Sequence, residues 1–278
     1  MNPFKGLTGK VFTYFFLFLF AFIFIFPFYY IFVMASWPDS NMFTIPPHIF
    51  FGDGLAQNWA HLFNEVPSFW RNFINSILIS SLATVSVLFF CTMGGAAFAL
   101  YRFKGKELFF KIILVTFMIP ASLNIIPFFQ IVIKLGWMNT WYPLIVPGMA
   151  NVFGIFLMTQ FIKTSVPVDL LNAARIDGMG EFRILLTIVF PLAKAGLSIL
   201  GMLTFLGAWN DFLMPLILLR KTEITTLPII LASIRSRSGG GTGAMMVGNA
   251  IAVMPLTLVL IFFSKRMISN LTAGSIKG

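Results

Sequence analysis

Charge is what this sequence has least of. Only 10% of its 278 residues are Asp, Glu, Lys or Arg, against roughly 25% in a soluble domain, so a water-facing surface cannot be clothed. With 58% apolar residues the class is a polytopic membrane protein. Cysteine is reduced to one, Cys91, inside an apolar run; it excludes an internal disulfide and reads as a small packing residue. Histidine is reduced to two, His48 and His61, with no ligand spacing around them, which argues against a metal site. Acidic residues number nine against nineteen basic ones. The resulting charge of +10 does not point to nucleic acid, because the basic residues sit in short loops beside apolar runs, where they act as a topology signal. A phosphate-binding loop is missing too: the glycines at 239–243 have no Lys-Ser or Lys-Thr after them and read as a flexible loop.

What the chain has in abundance is apolar length. A spanning helix takes about 20 residues, and six stretches qualify: residues 11–35, 73–100, 108–133, 141–161, 184–206 and 246–263, the last of them short. The first follows Lys5 and Lys10 as a signal peptide would, but its apolar run is too long for that and no small-x-small cleavage site follows, so it reads as a retained helix. One set of connections carries Lys5, Lys10, Arg102, Lys104, Lys106, Lys111, Lys163, Arg175, Arg183, Lys265, Arg266 and Lys277. The opposite set carries only Arg71, Lys134, Arg220, Lys221, Arg235 and Arg237. The richer set marks the inner side, so both termini are expected to be cytoplasmic. The expected fold is an all-α polytopic membrane protein with six transmembrane helices in one domain over residues 1–278. Between the fifth and sixth spans, Phe212–Leu219 is apolar but too short to cross, and is expected to be re-entrant or a surface helix.

Asp39, Asp53, Glu65, Asp211 and Glu223 fall in outer loops, while Glu107, Asp169, Asp177 and Glu181 fall in inner ones. No carboxylate is placed mid-span, and no paired carboxylates suggest an enzyme. Ion-coupled carriers commonly hold an ionisable group inside the membrane; with no charged intramembrane site expected, the energy for transport would come from outside the chain. Neutral polar residues remain as candidates for a solute path: Asn75, Asn124, Gln130, Asn151, Asn210 and, beside the last, Asp211. Such groups hydrogen-bond sugars, and for any single one an interhelical contact or a cap is the commoner role. Pro120, Pro127, Pro143 and Pro147 suit either a pathway or kinked packing helices. Gly94 and Gly95 permit close helix approach.

One polar, helix-prone patch interrupts the apolar chain, at residues 164–191. Pro167 opens it, Asp169 suits a helix first turn, and Gly178 suits a chain reversal. A second short helix is expected from Gly180, with Pro191 at the entry to the fifth span. A helix–glycine–helix with small residues at Ala173 and Ala174 fits either as a knob for a partner's groove or as an interfacial linker.

This patch resembles the cytoplasmic coupling loop of ATP-binding-cassette importer permeases. The family pattern is Glu-Ala-Ala, three residues, Gly, nine residues, Ile, one residue, Leu-Pro. Here Asn172-Ala173-Ala174 leads by the same spacings to Gly178, Ile188 and Phe190-Pro191. Asn172 and Phe190 depart from it, and Asn172 leaves no carboxylate there for a salt bridge. Further likenesses, to the maltose-type carbohydrate branch, lie in Arg71-Asn72 with Asn75-Ser76, in residues 97–103, in Trp209-Asn210-Asp211-Phe212 and in residues 271–278. The resemblance implies a type I importer permease fold and a subunit of an ATP-driven, binding-protein-dependent sugar importer, with oligosaccharide as the expected cargo. It implies as partners a second homologous permease, two cytoplasmic ABC ATPases, an extracytoplasmic sugar-binding protein and membrane lipid, with no nucleic acid. ATP and Mg would belong to the ATPase, leaving this chain without a cofactor or a catalytic role. Coupling would pass through Asn172, Ala173, Ala174, Asp177, Gly178, Met179 and Pro191. The alternative is an ion-coupled secondary carrier of small solutes.

Overall fold

The computed structural model describes residues 3–238 and 241–274. Among the described residues the chain is helical, with turns and no strand. It divides into two compact units, one of residues 1–69 and 230–255, the other of residues 70–229 and 256–278.

In the first unit α1 (Pro3–Ala35) exposes every residue from 9 to 28, a surface suited only to an apolar surrounding. The chain then turns, and α2 (Leu55–Glu65) ties the turn down. The buried Asn58 amide donates to the carbonyls of Ala35 at 2.9 Å and Trp37 at 2.8 Å. Asp39 accepts backbone hydrogen bonds from Gly241 at 2.5 Å and Gly243 at 2.6 Å. Gly241 has φ +80, a conformation that favours glycine. The expected flexible loop at 239–243 is therefore corrected at these two positions: a carboxylate pins them, and residues 239 and 240 lie outside the described residues.

The second unit begins with nearly all of α3 (Phe69–Leu100). There follow α4 (Lys106–Phe117), α5 (Ile125–Lys134), the single turn α6 (Tyr142–Ile145) and α7 (Val152–Ser165). Next come α8 (Val168–Ile176), α9 (Glu181–Ile184), a π-helical turn at Leu185–Val189, α10 (Phe190–Leu192), α11 (Lys194–Asn210) and α12 (Leu213–Leu218). The chain closes with α13 (Leu227–Ser238) and α14 (Thr242–Gly274).

Glycines set the spacing around α7. A Cβ on Gly95 of α3 would stand 2.6 Å from Met158 Cβ and 2.9 Å from the Thr159 backbone nitrogen. One on Gly154 would stand 2.6 Å from Cys91 Sγ, and one on Gly196 of α11 would stand 2.7 Å from the Phe161 ring. Small residues thus let α7 lie against α3 and α11, the packing role expected of Gly94 and Gly95. Cys91 is fully buried in this contact.

Among the described residues three helical segments are long and apolar enough to cross a membrane by themselves: Gly9–Ala35, Phe69–Leu100 and Thr242–Phe263. The other expected spans need correction. Residues 108–133 form two helices meeting at 89°, because Pro120 cannot donate a helical hydrogen bond and disfavours helix at the residue before it. Residues 184–206 likewise bend by 82° at Ala193 (φ −85, ψ 13), just after the π-helical turn and Pro191. Counting each bent pair as one broken span gives five. The expected span at 141–161 is interrupted between α6 and α7, where Asn151 caps the new helix by accepting from Gly154 N–H at 2.7 Å. The remaining 14 residues of α7 make about 21 Å of helix, less than the roughly 30 Å of a bilayer core.

The second bend also corrects the expectation that no charge lies within a span. Lys194 falls inside residues 184–206. Because the helix breaks just before it, Lys194 stands exposed in the first turn of α11 rather than at mid-helix.

Candidate coupling surface and solute path

Pro167 precedes α8 in an extended conformation, and Asp169 occupies the first turn, where a negative charge is favourable. The helix ends by turning back on itself. Gly178 takes φ +81, and Met179 N–H reaches back to Ala174 C=O at 2.9 Å, a glycine-terminated helix end. Gly180 then caps α9. The expected helix–glycine–helix is present.

The helix has two unlike faces. Leu171 and Ala174 are buried in a core that also holds Cys91 and Ala96 of α3, Met158 and Ile162 of α7, Ile184 of α9, and Leu200 of α11. Met179 packs against the same core. On the other face Asn172, Ala173, Ile176, Asp177 and Gly178 are exposed. Ile176 is 86% exposed, unusual for so apolar a side chain and suited to a surface that another body covers. Of the coupling residues expected from the sequence, Ala174 and Met179 face inward, and Asn172, Ala173, Asp177 and Gly178 outward. Pro191 lies exposed on α10.

A polar cluster braces the outward face, and the sequence reading gave it no role. Arg175 Nε donates to Glu181 Oε1 at 2.7 Å and Arg175 Nη2 to Oε2 at 3.2 Å. Arg175 Nη1 donates to Asn172 Oδ1 at 3.2 Å. Tyr101, just past α3, donates its hydroxyl to Glu181 Oε2, and the guanidinium lies 5.7 Å from the Tyr101 ring centroid. The hydrogen bonds from Arg175, then that from Tyr101, hold the Glu181 carboxyl below its ordinary pKa. Burial, then the bond to Glu181, raises the Tyr101 phenol. Position 172 has no carboxylate, and Glu181 supplies one to the same arginine. Six residues separate Arg175 from Glu181, so the turn between them had to be known before the pair could be seen.

Three of the six expected path residues meet in one place. Asn124, Asn151 and Asp211 line an open cavity of about 880 Å³ together with Phe117, Phe128 and Phe153. Asp211 Oδ1 accepts from Met214 N–H at 3.3 Å, in the first turn of α12, the short helix expected at 212–219. Burial raises the Asp211 carboxyl above its ordinary pKa, and the N–H groups of Met214 and Leu213 act against the rise. The other three lie elsewhere. Gln130 is exposed on α5, and Asn210 donates to Leu206 C=O within its own helix at 2.9 Å. Asn75 is buried and donates to the carbonyls of Glu223 at 2.9 Å and Thr225 at 3.0 Å. Beside it Asn72 donates to Thr222 and Thr225 carbonyls, and Ser76 Oγ accepts from Leu227 N–H. These three clamp the segment before α13.

Residues 91–271 match the family described as binding-protein-dependent transport system inner membrane component. The chain belongs to that family. It is a transport subunit of an inner membrane, not an enzyme, and membership implies an assembly of permease, ATPase and binding-protein components. Its relatives include the arabinooligosaccharides transport system permease protein AraQ of Halalkalibacterium halodurans, 36% identical over 80% of this chain and 79% of that one. The sn-glycerol-3-phosphate transport system permease protein UgpE of Yersinia enterocolitica is 33% identical over 82% of each chain. The lactose transport system permease protein LacG of Rhizobium radiobacter is 30% identical, again over 82% of each. The fold agrees with a chain in the crystal structure of a bacterial ABC transporter involved in the import of the acidic polysaccharide alginate. The TM-score is 0.77 at 23% identity, over 95% of this chain and 98% of that one.

Proposed function

We propose that this family member is one of two permeases of an ATP-driven carbohydrate importer, and that residues 164–191 are the surface on which a cytoplasmic ATPase docks. In this reading the chain crosses the membrane six times with both termini inside, the two bent pairs counting as one crossing each and α7 as a short one. An external binding protein delivers the sugar. ATP and Mg act on the ATPase, and this chain holds no cofactor. Names of relatives that specify arabinooligosaccharides and lactose support a saccharide as cargo, and a third names the anionic sn-glycerol-3-phosphate.

The two-faced α8 carries the proposal. An outward face with Ile176 uncovered accepts a partner, while Leu171 and Ala174 are seated in the core that joins α3, α7 and α11. Close-packed interiors deform little, so a push on α8 moves the helices behind it. The work comes from the difference in ATPase affinity for the two states of the transporter.

Ala173→Trp tests this directly, since the position is helical and exposed and tolerates a larger side chain in the isolated subunit. The variant is expected to insert and to pair with the second permease, and to lose ATPase copurification and uptake. Gly178→Trp is expected to do the same, with added strain from φ +81. Normal amounts of ATPase copurifying with Ala173→Trp would overturn the docking assignment.

A further inference from the structure

The cavity lined by Asn124, Asn151 and Asp211 has a chemistry that says which solutes suit it. Its volume, about 880 Å³, lies in the roughly 300–1,000 Å³ range of pockets that hold small molecules. Phe117 and Phe153 stack at 6.0 Å and 25° and give it an apolar wall. The electron-rich faces of such rings attract weakly positive C–H groups, which one side of a sugar ring presents. Asn124 is exposed and makes no capping hydrogen bond to α5, so its amide is available to hydroxyls. Among the described residues lining the cavity Asp211 is the only charged one, and its single negative charge is not matched by a lysine or arginine there.

We propose that the Asp211 carboxylate screens solutes by charge as they pass this subunit, admitting neutral sugars and polyols and repelling anionic ones such as uronates and sugar phosphates. The inference rests on the importer reading above and adds to it a direct role for this subunit in substrate choice. A carboxylate set in a low-dielectric wall acts on a passing charge more strongly than one in open water. Asp211 also holds the start of α12 through Met214 N–H, so its charge is fixed in place rather than carried on a swinging side chain.

The test uses the complete importer in proteoliposomes with Asn124→Cys as a reporter. The native Cys91 is fully buried and adds no background. At pH 8 the reporter is labelled with a cationic and an anionic methanethiosulfonate of similar size. The cationic reagent is expected to react about tenfold faster, after correction for their rates on a free thiol, in keeping with a half-buried charge lining the same cavity. In the Asp211→Asn background the ratio is expected to fall close to one. A ratio near one with Asp211 present, or the same ratio in Asp211→Asn, overturns the filter. Protection supplies a second readout: excess lactose is expected to slow labelling of Asn124→Cys and lactobionate, its carboxylate counterpart, is not. In Asp211→Asn both are expected to protect. Equal protection by the two sugars with Asp211 present, or protection by neither, refutes the proposal. ATP-dependent uptake by the unmodified importer is measured in the same vesicles. Uptake without charge bias removes the filter alone, and absence of ATP-dependent uptake removes the importer reading beneath it.

Discussion

Gly154 lies where α7 meets α3, and a methyl group there would stand 2.6 Å from Cys91 Sγ and 3.1 Å from Cys91 Cβ. Ordinary non-bonded contact begins near 3.5 Å, so Gly154→Ala forces a shift of close to an ångström. Overpacking of that kind costs about 1–3 kcal/mol. Exchanging Gly for Ala in a helix returns about 1 kcal/mol, leaving a net loss of up to about 2 kcal/mol. Cys91→Ala removes the sulfur that the added methyl would strike, at a cost of about 1 kcal/mol for one buried group. The 3.1 Å contacts to the residue-91 Cβ and to Asn151 Oδ1 remain in the double variant, so partial rescue is expected, a favourable coupling of about 1 kcal/mol. Gly95→Ala is the contrast. Its methyl would meet Met158 Cβ and the Met158 and Thr159 backbone, which no truncation of Met158 to Ala removes, so Met158→Ala is not expected to rescue it. Unfolding of the purified subunit in mixed micelles by increasing SDS, followed by tryptophan fluorescence, measures each single and double variant. Equal losses for Gly154→Ala with and without Cys91 would refute the steric argument, as would rescue of Gly95→Ala by Met158→Ala.

Four further outcomes are expected. Asn72→Ala takes the Asn72 donor from the Thr222 carbonyl and leaves the Thr225 carbonyl to Asn75 alone, and is expected to cost about 1–3 kcal/mol; protease access to residues 222–227 reports it, and an unchanged digestion rate would contradict the clamp. The labelling bias at Asn124→Cys is expected to weaken as pH falls, beginning above the pH at which an ordinary aspartate protonates. Burial raises the Asp211 pKa, and the charge is present only above it, so a bias constant to pH 4 would be inconsistent with Asp211 as its source. Glu181 behaves oppositely: its pKa is lowered by Arg175 and Tyr101. The ion pair is present above the ordinary carboxylate pKa and is lost as pH falls through the lowered one, so ATPase copurification is expected to be flat from pH 8 to pH 5. Glu181→Gln is expected to weaken copurification only modestly, because an exposed pair of this kind contributes under about 1 kcal/mol.

The helix–glycine–helix within residues 164–191 is readable in the sequence because its signals are local. Pro167, Gly178 and Gly180 each punctuate the chain where an element begins or ends, and the polar run stands out between apolar ones. Gly94 and Gly95 were readable for the same reason, as small residues side by side in an apolar helix. The bends at 89° and 82° were not, since hydropathy measures how apolar a stretch is and not which way it points. Pro120 and Pro191 were visible as marks without a direction. Lys194 leaves little mark on hydropathy, since one charge hardly changes the mean of a window. Asn75 illustrates the limit for the path: its carbonyl partners lie about 150 residues away, beyond any local pattern. Asn124, Asn151 and Asp211 come from three separate connections, and only the fold puts them around one cavity.

The division of α8 into a seated and an open face has a consequence for how such a subunit changes over generations. Leu171 and Ala174 answer to the helices they pack against, while Asn172, Ala173 and Ile176 answer, under the proposed docking, to the ATPase. The two sets can drift separately. A letter altered on the open side, such as Asn172 where the family pattern has Glu, leaves the seated side undisturbed and keeps a carboxylate near Arg175 through Glu181. Under the proposed docking, subunits of this build can retune the fit to a changing ATPase without rebuilding the helices behind it.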